Sequence, residues 1–119
     1  MNKKILVVDD DATNRKFLNI VLSKKPGIEV IEAENGTDAL NKLSSDIAVV
    51  LLDIYMPVMD GIQFLQRIKT DKPELSTIPV IVLSTDDAKK NEALSWGATD
   101  FITKPVNPVN LWEKISKHI

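Results

Sequence analysis

The chain has no cysteine and a single histidine among its 119 residues. Disulfides, thiolate zinc sites and thiol catalysis are therefore excluded, and nothing points to an oxidising compartment. Glycine is scarce: Gly27, Gly36, Gly61 and Gly97 each stand alone, so a glycine-rich phosphate loop, and nucleotide binding with it, has no support. Long hydrophobic runs are missing too. Stretches such as residues 48–52 fall far short of the roughly 20 residues that span a bilayer. The apolar run behind Lys3 and Lys4 stops at Asp9, too short for the core of a signal peptide. A cytoplasmic location and no membrane partner are the default expectation. Nor is there an excess of positive charge. Fifteen Lys and Arg against 17 Asp and Glu give a net charge of −2, without the basic patch that nucleic-acid binders usually carry.

What remains is the composition of an ordinary soluble domain, 44% apolar and 27% charged. The length suits one domain over residues 1–119 and is too short for two. Five short apolar runs recur, at residues 5–8, 30–31, 48–52, 80–83 and 101–102. Several are continuous and rich in Val, Ile and Leu, as strands covered on both faces are. Helical spacing fills the gaps. Residues 13–24 put Phe17, Leu18, Val21 and Leu22 on one stripe, with Thr13 as an expected N-cap and Pro26-Gly27 as the stop. Further helices are expected over residues 36–43, 61–69 and 88–96, and from Pro108 through Leu111, Ile115 and Ile119. Strand and helix alternate five times, and parallel strands need a helical crossover, so the pattern predicts a doubly wound (βα)5 α/β sandwich around a five-stranded parallel sheet.

In open parallel sheets ligands sit beyond the carboxyl ends of the strands. Those ends carry Asp9-Asp10-Asp11, Asp53, Ser84-Thr85 and Thr103-Lys104-Pro105. Clustered carboxylates repel unless a cation joins them, and hard oxygen ligands with open positions suit Mg²⁺. Phosphoryl transfer is then natural chemistry, because its catalysis is largely positioning and charge neutralisation. Asp53 would be the nucleophile, Lys104 a counter-charge to a phosphoryl oxygen, and Ser84 a donor to another. Singly, each residue has a plainer reading: the acidic triplet as a solvated helix start, Lys104 as a surface-loop lysine, Ser84 as the cap of the fourth helix. Trp96 and Trp112 suit packing positions, and His118 a solvated helix end.

Five stations in order carry a resemblance: Val7-Val8-Asp9-Asp10, then Leu52-Asp53-Ile54-Tyr55-Met56-Pro57 with Asp60-Gly61, then Ser84, then Gly97-Ala98, then Phe101-Ile102-Thr103-Lys104-Pro105. In these the chain resembles the receiver domain of bacterial two-component response regulators, over its whole length. The resemblance implies the flavodoxin-like strand order 2-1-3-4-5 and a Mg²⁺-dependent transfer of a phosphoryl group onto Asp53. It implies Asp10 as a direct metal ligand, Asp9 as its water-mediated neighbour, Asp53 as a further ligand besides being the phosphorylated residue, and a ligand in the backbone carbonyl of Tyr55. Ser84 and Phe101 are implied as a switch pair, Phe101 turning inward on phosphorylation, and Lys104 as the essential lysine, joined to Pro105 by a cis peptide. Asp11 leaves the register of the metal pair open by one, Asp10 with Asp11 being the other choice. Tyr55 and Asp86 occupy the two places that adjust hydrolysis of the acyl phosphate.

The implied partners are a sensor histidine kinase or histidine phosphotransfer protein as donor. An output domain or target would meet the face of the fourth helix, fifth strand and fifth helix, and a homodimer could form on phosphorylation. The expected role is that of a phosphoacceptor, not an enzyme acting on an external substrate. Two alternatives stand beside it. An aspartate-nucleophile phosphatase would commonly place a second acid two residues after the nucleophile, where Tyr55 stands. A degenerate receiver used only for binding would be expected to lose Asp53, Lys104 or an acid of the pair, and all are present.

Overall fold

A computed structural model describes residues 3–56, 58–85 and 87–119. Its elements run β1 (Lys3–Val8), α1 (Ala12–Ser23), β2 (Ile28–Ala33), α2 (Gly36–Lys42), β3 (Ile47–Asp53), α3 (Gly61–Asp71), β4 (Val80–Ser84), α4 (Lys90–Ser95), β5 (Asp100–Thr103) and α5 (Pro108–Ser116). The strands form one parallel sheet in the order β2-β1-β3-β4-β5, the expected doubly wound arrangement.

Alternation along the strands divides the core in two. Ile5, Val7, Val49, Leu51, Ile81, Leu83 and Ile102 pack on one face with Leu18 and Leu22 of α1 and Leu111 and Ile115 of α5. Leu6, Val8, Val50, Leu52, Val82 and Phe101 pack on the other with α2, α3 and Ala93 of α4. β1 and β3 are buried on both faces because each central strand must be covered twice. Successive residues alternate faces, so the odd positions of β1 and β3 point toward α1 and α5. Asp9 and Asp53 continue that odd series past the apolar runs.

Local chemistry accounts for the helix boundaries and for four departures from the sequence expectation. Asp11, not Thr13, caps α1. Its Oδ1 accepts from the backbone N–H of Thr13 at 2.8 Å and of Asn14 at 3.4 Å. The α1 stripe is narrower than expected: Leu18 and Leu22 are buried, while Phe17 stays 46% exposed. α4 is short because residues Asp87–Lys89 wind as a 3-10 turn and its cap position, Lys89, makes no side-chain capping bond. α5 ends at Ser116, leaving Ile119 outside it.

α3 starts more firmly. Gln63 N–H donates to Asp60 Oδ1 at 2.9 Å while Asp60 N–H donates to Gln63 Oε1 at 3.0 Å, a reciprocal capping box. The next residue, Gly61, comes so close to the end of β3 that its N–H donates to the Ile54 carbonyl at 2.8 Å. A Cβ at this position would lie 2.7 Å from the Asp53 carbonyl oxygen and 2.8 Å from Ile54 Cα. Both atoms are backbone and cannot swing aside. Gly61→Ala is therefore expected to cost about 1–3 kcal/mol, the usual penalty of overpacking, read from the urea midpoint. Wild-type stability in that variant would contradict the close approach of α3 to the strand that carries Asp53.

Candidate functional site

The strand order reverses between β1 and β3, where the chain first builds β2 on one side and then β3, β4 and β5 on the other. Val8 pairs with Leu52, so the next residues of the two strands, Asp9 and Asp53, emerge side by side at the crevice where such sheets hold ligands. Carboxylate oxygens of Asp9, Asp10 and Asp53 all lie within 4.8 Å of one another. Asp9 is 2% exposed and Asp53 8%, whereas Asp10 is open to solvent.

Lys104 arrives from the end of β5. Its Nζ stands 3.7 Å from Asp53 Oδ1 and 3.8 Å from Asp9 Oδ2. These are charge contacts longer than a normal hydrogen bond, so the ammonium balances both acids without closing on either. Its backbone is held by a 2.7 Å bond from Lys104 N–H to the Ser84 carbonyl, and the peptide to Pro105 is cis. Asp9 is anchored by its other oxygen, Oδ1, which accepts from Asp11 N–H at 2.9 Å. Asp53 Oδ1 accepts from Tyr55 N–H at 3.3 Å.

Three acids and one lysine leave the cluster short of positive charge. Burial pushes the Asp53 carboxyl up to about 6; Lys104 pulls it back, Asp9 raises it further, the Tyr55 N–H lowers it and Asp10 raises it. Three convergent hard oxygens with an unbalanced charge, open to solvent on the Asp10 side, are a donor set that fits Mg²⁺ with most of its waters retained. The three consecutive aspartates part company in geometry. Asp11 is turned away as the α1 cap, while Asp9 and Asp10 join Asp53.

Ser84 is fully buried and belongs to the opposite face of the sheet, the one that carries Phe101. Ser84 pairs with Thr103 and Val82 with Phe101, so the two implied switch residues share a face two positions apart. Phe101 is buried, 8% exposed, in the cluster with Val82, Ala93 and Ala98. Ser84 is not the cap of α4, since that position belongs to Lys89. The expectations for Asp86 and Pro57 lie outside the described residues.

Comparison with known proteins agrees with this arrangement. The model of the response regulator receiver domain matches residues 5–116. The chain belongs to that family. It is 35% identical over 116 residues to the chemotaxis protein CheY1 of Helicobacter pylori, covering 94% of this chain and 93% of that one. It is 43% identical over 114 residues to a protein-glutamate methylesterase/protein-glutamine glutaminase of Geobacillus kaustophilus, covering 91% of this chain but 32% of the relative. The receiver thus spans about a third of the length of the methylesterase relatives it matches. The structure of chemotaxis protein CheY4 of Vibrio cholerae superposes with a TM-score of 0.90 at 30% identity, covering all of both chains. Among the described residues no helix of this receiver is long and apolar enough to cross a membrane.

Sequence reasoning passed over one polar group beside the receiver's acids. Arg15, one turn into α1, donates from Nη1 to the Asp9 carbonyl oxygen at 2.6 Å and from Nε to Glu32 Oε1 at 3.2 Å. The signal available was its place four residues after the capping Asp11, which turns it back toward the end of β1.

A carboxyl whose pKa is higher folded than unfolded holds its proton more tightly in the folded state. With values of 3.8 and about 6, its ionisation costs stability above pH 6, and that cost disappears as pH falls through 6 toward 4. Asp53→Asn is accordingly expected to stabilise the metal-free protein at pH 7.5, by about 3 kcal/mol on the scale of 1.36 kcal/mol per pKa unit. The gain should fall to about a third by pH 4.5 and toward zero near pH 3.5 in urea unfolding followed across that range. A variant no more stable than wild type at pH 7.5 would show that Asp53 carries no such burden.

Proposed function

We propose that this receiver accepts a phosphoryl group on Asp53 from a phosphohistidine of a sensor kinase or phosphotransfer protein, in a Mg²⁺-dependent reaction, and relays it as a change of shape. The observation that carries the proposal is the buried Asp53 carboxylate grouped with Asp9 and Asp10 and in charge contact with Lys104. With its carboxyl at about 6, Asp53 is largely ionised at neutral pH and able to attack. One of its oxygens forms a bond to phosphorus while the N–P bond of the donor breaks, and the electron pair stays on the imidazole nitrogen. The product is an acyl phosphate.

Asp9, Asp10, the free oxygen of Asp53 and the Tyr55 carbonyl would hold Mg²⁺, which supplies charge neutralisation for the transferred group. Lys104, at 3.7 Å with no hydrogen bond to Asp53, has the reach to take a phosphoryl oxygen in place of its present charge contact. The Ser84 hydroxyl would donate to another. Turnover of an external substrate has no support, because Tyr55 stands where a phosphatase would commonly place its second acid. The chain acts as a regulatory phosphoacceptor in the cytoplasm, and its transfer and later hydrolysis reset one switch.

The output face proposed is that of α4, β5 and α5. α4 lacks a side-chain cap, follows a 3-10 turn and leaves Leu94 and Trp96 partly exposed, features of a segment with little local stability. Since Phe101 is already inward, phosphorylation would act by tightening Ser84 and α4 around it, shifting a population toward the better packed state. A target protein, an attached output domain or a second copy would read that face.

Incubation with acetyl phosphate and Mg²⁺ is expected to add one phosphoryl group by mass spectrometry, and Asp53→Asn to abolish it. Undiminished labelling of that variant sinks the assignment. In the phosphorylated or beryllofluoride-treated protein, amide resonances over residues 87–96 and 101–112 should move more than those over 13–24. Ser84→Ala should remove that difference while leaving transfer intact. Equal movement of all three segments in wild type would refute a localised output face.

A further inference from the structure

The backbone of Asp9 is gripped on both sides of its Cα, and one of the two bonds falls on the peptide that joins it to Asp10. Asp9 N–H donates to the Ala33 carbonyl of β2 at 3.1 Å, and the Asp9 carbonyl accepts from Arg15 Nη1 at 2.6 Å. The guanidinium is itself held. Its Nε donates to Glu32 Oε1 at 3.2 Å, and the second oxygen of Glu32 accepts from Asn19 Nδ2 at 2.8 Å. Glu32 lies on β2, and Arg15 and Asn19 lie one turn apart on α1, so the network joins the strand to the helix across the corner that carries the acids. Only 15% of the Arg15 side chain is exposed, which keeps water from competing for the bond.

A peptide group is planar. The carbonyl of Asp9 and the N–H of Asp10 belong to one plane, so a charged donor that fixes the carbonyl also fixes the angle at which Asp10 leaves the strand. Asp10 is the exposed member of the acidic trio, with burial contributing nothing to its orientation. From this we infer that Arg15 is a positioning residue for the cation site: it sets the direction of the Asp10 carboxylate through the Asp9 carbonyl, and Glu32 sets Arg15. The inference rests on the proposed Mg²⁺ reading.

Positioning can be told from its two rivals by sign. Were Arg15 only a nearby positive charge, its removal would tighten Mg²⁺ binding; were it only a brace between α1 and β2, a folded variant would bind as wild type does. Positioning requires weaker binding, since outer partners of metal ligands typically carry about 10- to 100-fold in affinity.

The test is a Mg²⁺ titration of the whole chain, followed by NMR at the Asp10 and Asp53 amides, for wild type, Arg15→Gln, Arg15→Lys and Lys16→Gln. Arg15→Gln is expected to raise the dissociation constant about tenfold or more. Arg15→Lys, which keeps the charge but cannot reach both the carbonyl and Glu32 with a planar fork, should fall between it and wild type. Lys16→Gln removes a neighbouring exposed charge and should bind no more weakly than wild type. Should Arg15→Gln not fold, Arg15→Lys decides alone. Unchanged or tighter binding in the folded Arg15 variant overturns the inference while leaving the Mg²⁺ reading intact, whereas a wild type that binds no Mg²⁺ overturns both.

Discussion

A carboxylate at the closed end of a strand buried on both faces is the constraint on which the rest of this molecule depends. Asp53 directly follows Leu52, which is fully buried, and is itself 8% exposed. Ionised there, it pays a desolvation penalty that one lysine at 3.7 Å only partly offsets. The site is a set of answers to that imbalance. Lys104 is delivered through its bond to the Ser84 carbonyl, the Tyr55 N–H turns back onto the acid, and two further acids stand where a divalent cation would complete the charge. A group kept reactive by incomplete compensation is poised to be modified, which is how a structural burden becomes a functional one.

The same sheet separates the acids from the residues proposed to read them out. Asp9 and Asp53 continue the residues that pack toward α1 and α5, while Ser84 and Phe101 belong to the residues that pack toward α3 and α4. Lys104 and Ser84 are joined by a backbone bond across β4 and β5. An event on one face therefore has a short covalent and hydrogen-bonded route to the other, through two strand ends and no flexible loop. α4, whose cap position makes no side-chain bond, packs on that second face through Ala93.

Much of the fold was legible from the pattern, because short continuous runs rich in Val, Ile and Leu at residues 48–52 and 80–83 read as strands covered on both sides, and each intervening segment showed helical spacing. Where the reading slipped, a local competition decided. Asp11 outbid Thr13 for the α1 cap because its carboxylate reaches two N–H groups at once. The start of the fourth helix, over Asp87–Lys89, winds as a 3-10 turn. The burial of Phe101 beside Ala93 and Ala98 was not legible either, because the size of a space between elements is not written in either of them.

The amino-acid order by itself determined which residues end each strand, and so which chemistry could meet: acids after β1 and β3, a hydroxyl after β4, an ammonium after β5. It determined the family as well, through five short stations in one order. Only the tertiary structure decided which two of three consecutive aspartates join Asp53, that Arg15 holds the peptide between them, and that Gly61 admits no side chain against β3. Each of these depends on distances between segments far apart in the chain. Such distances are set by how the sheet twists and the helices seat on it, a property of all the packed elements together.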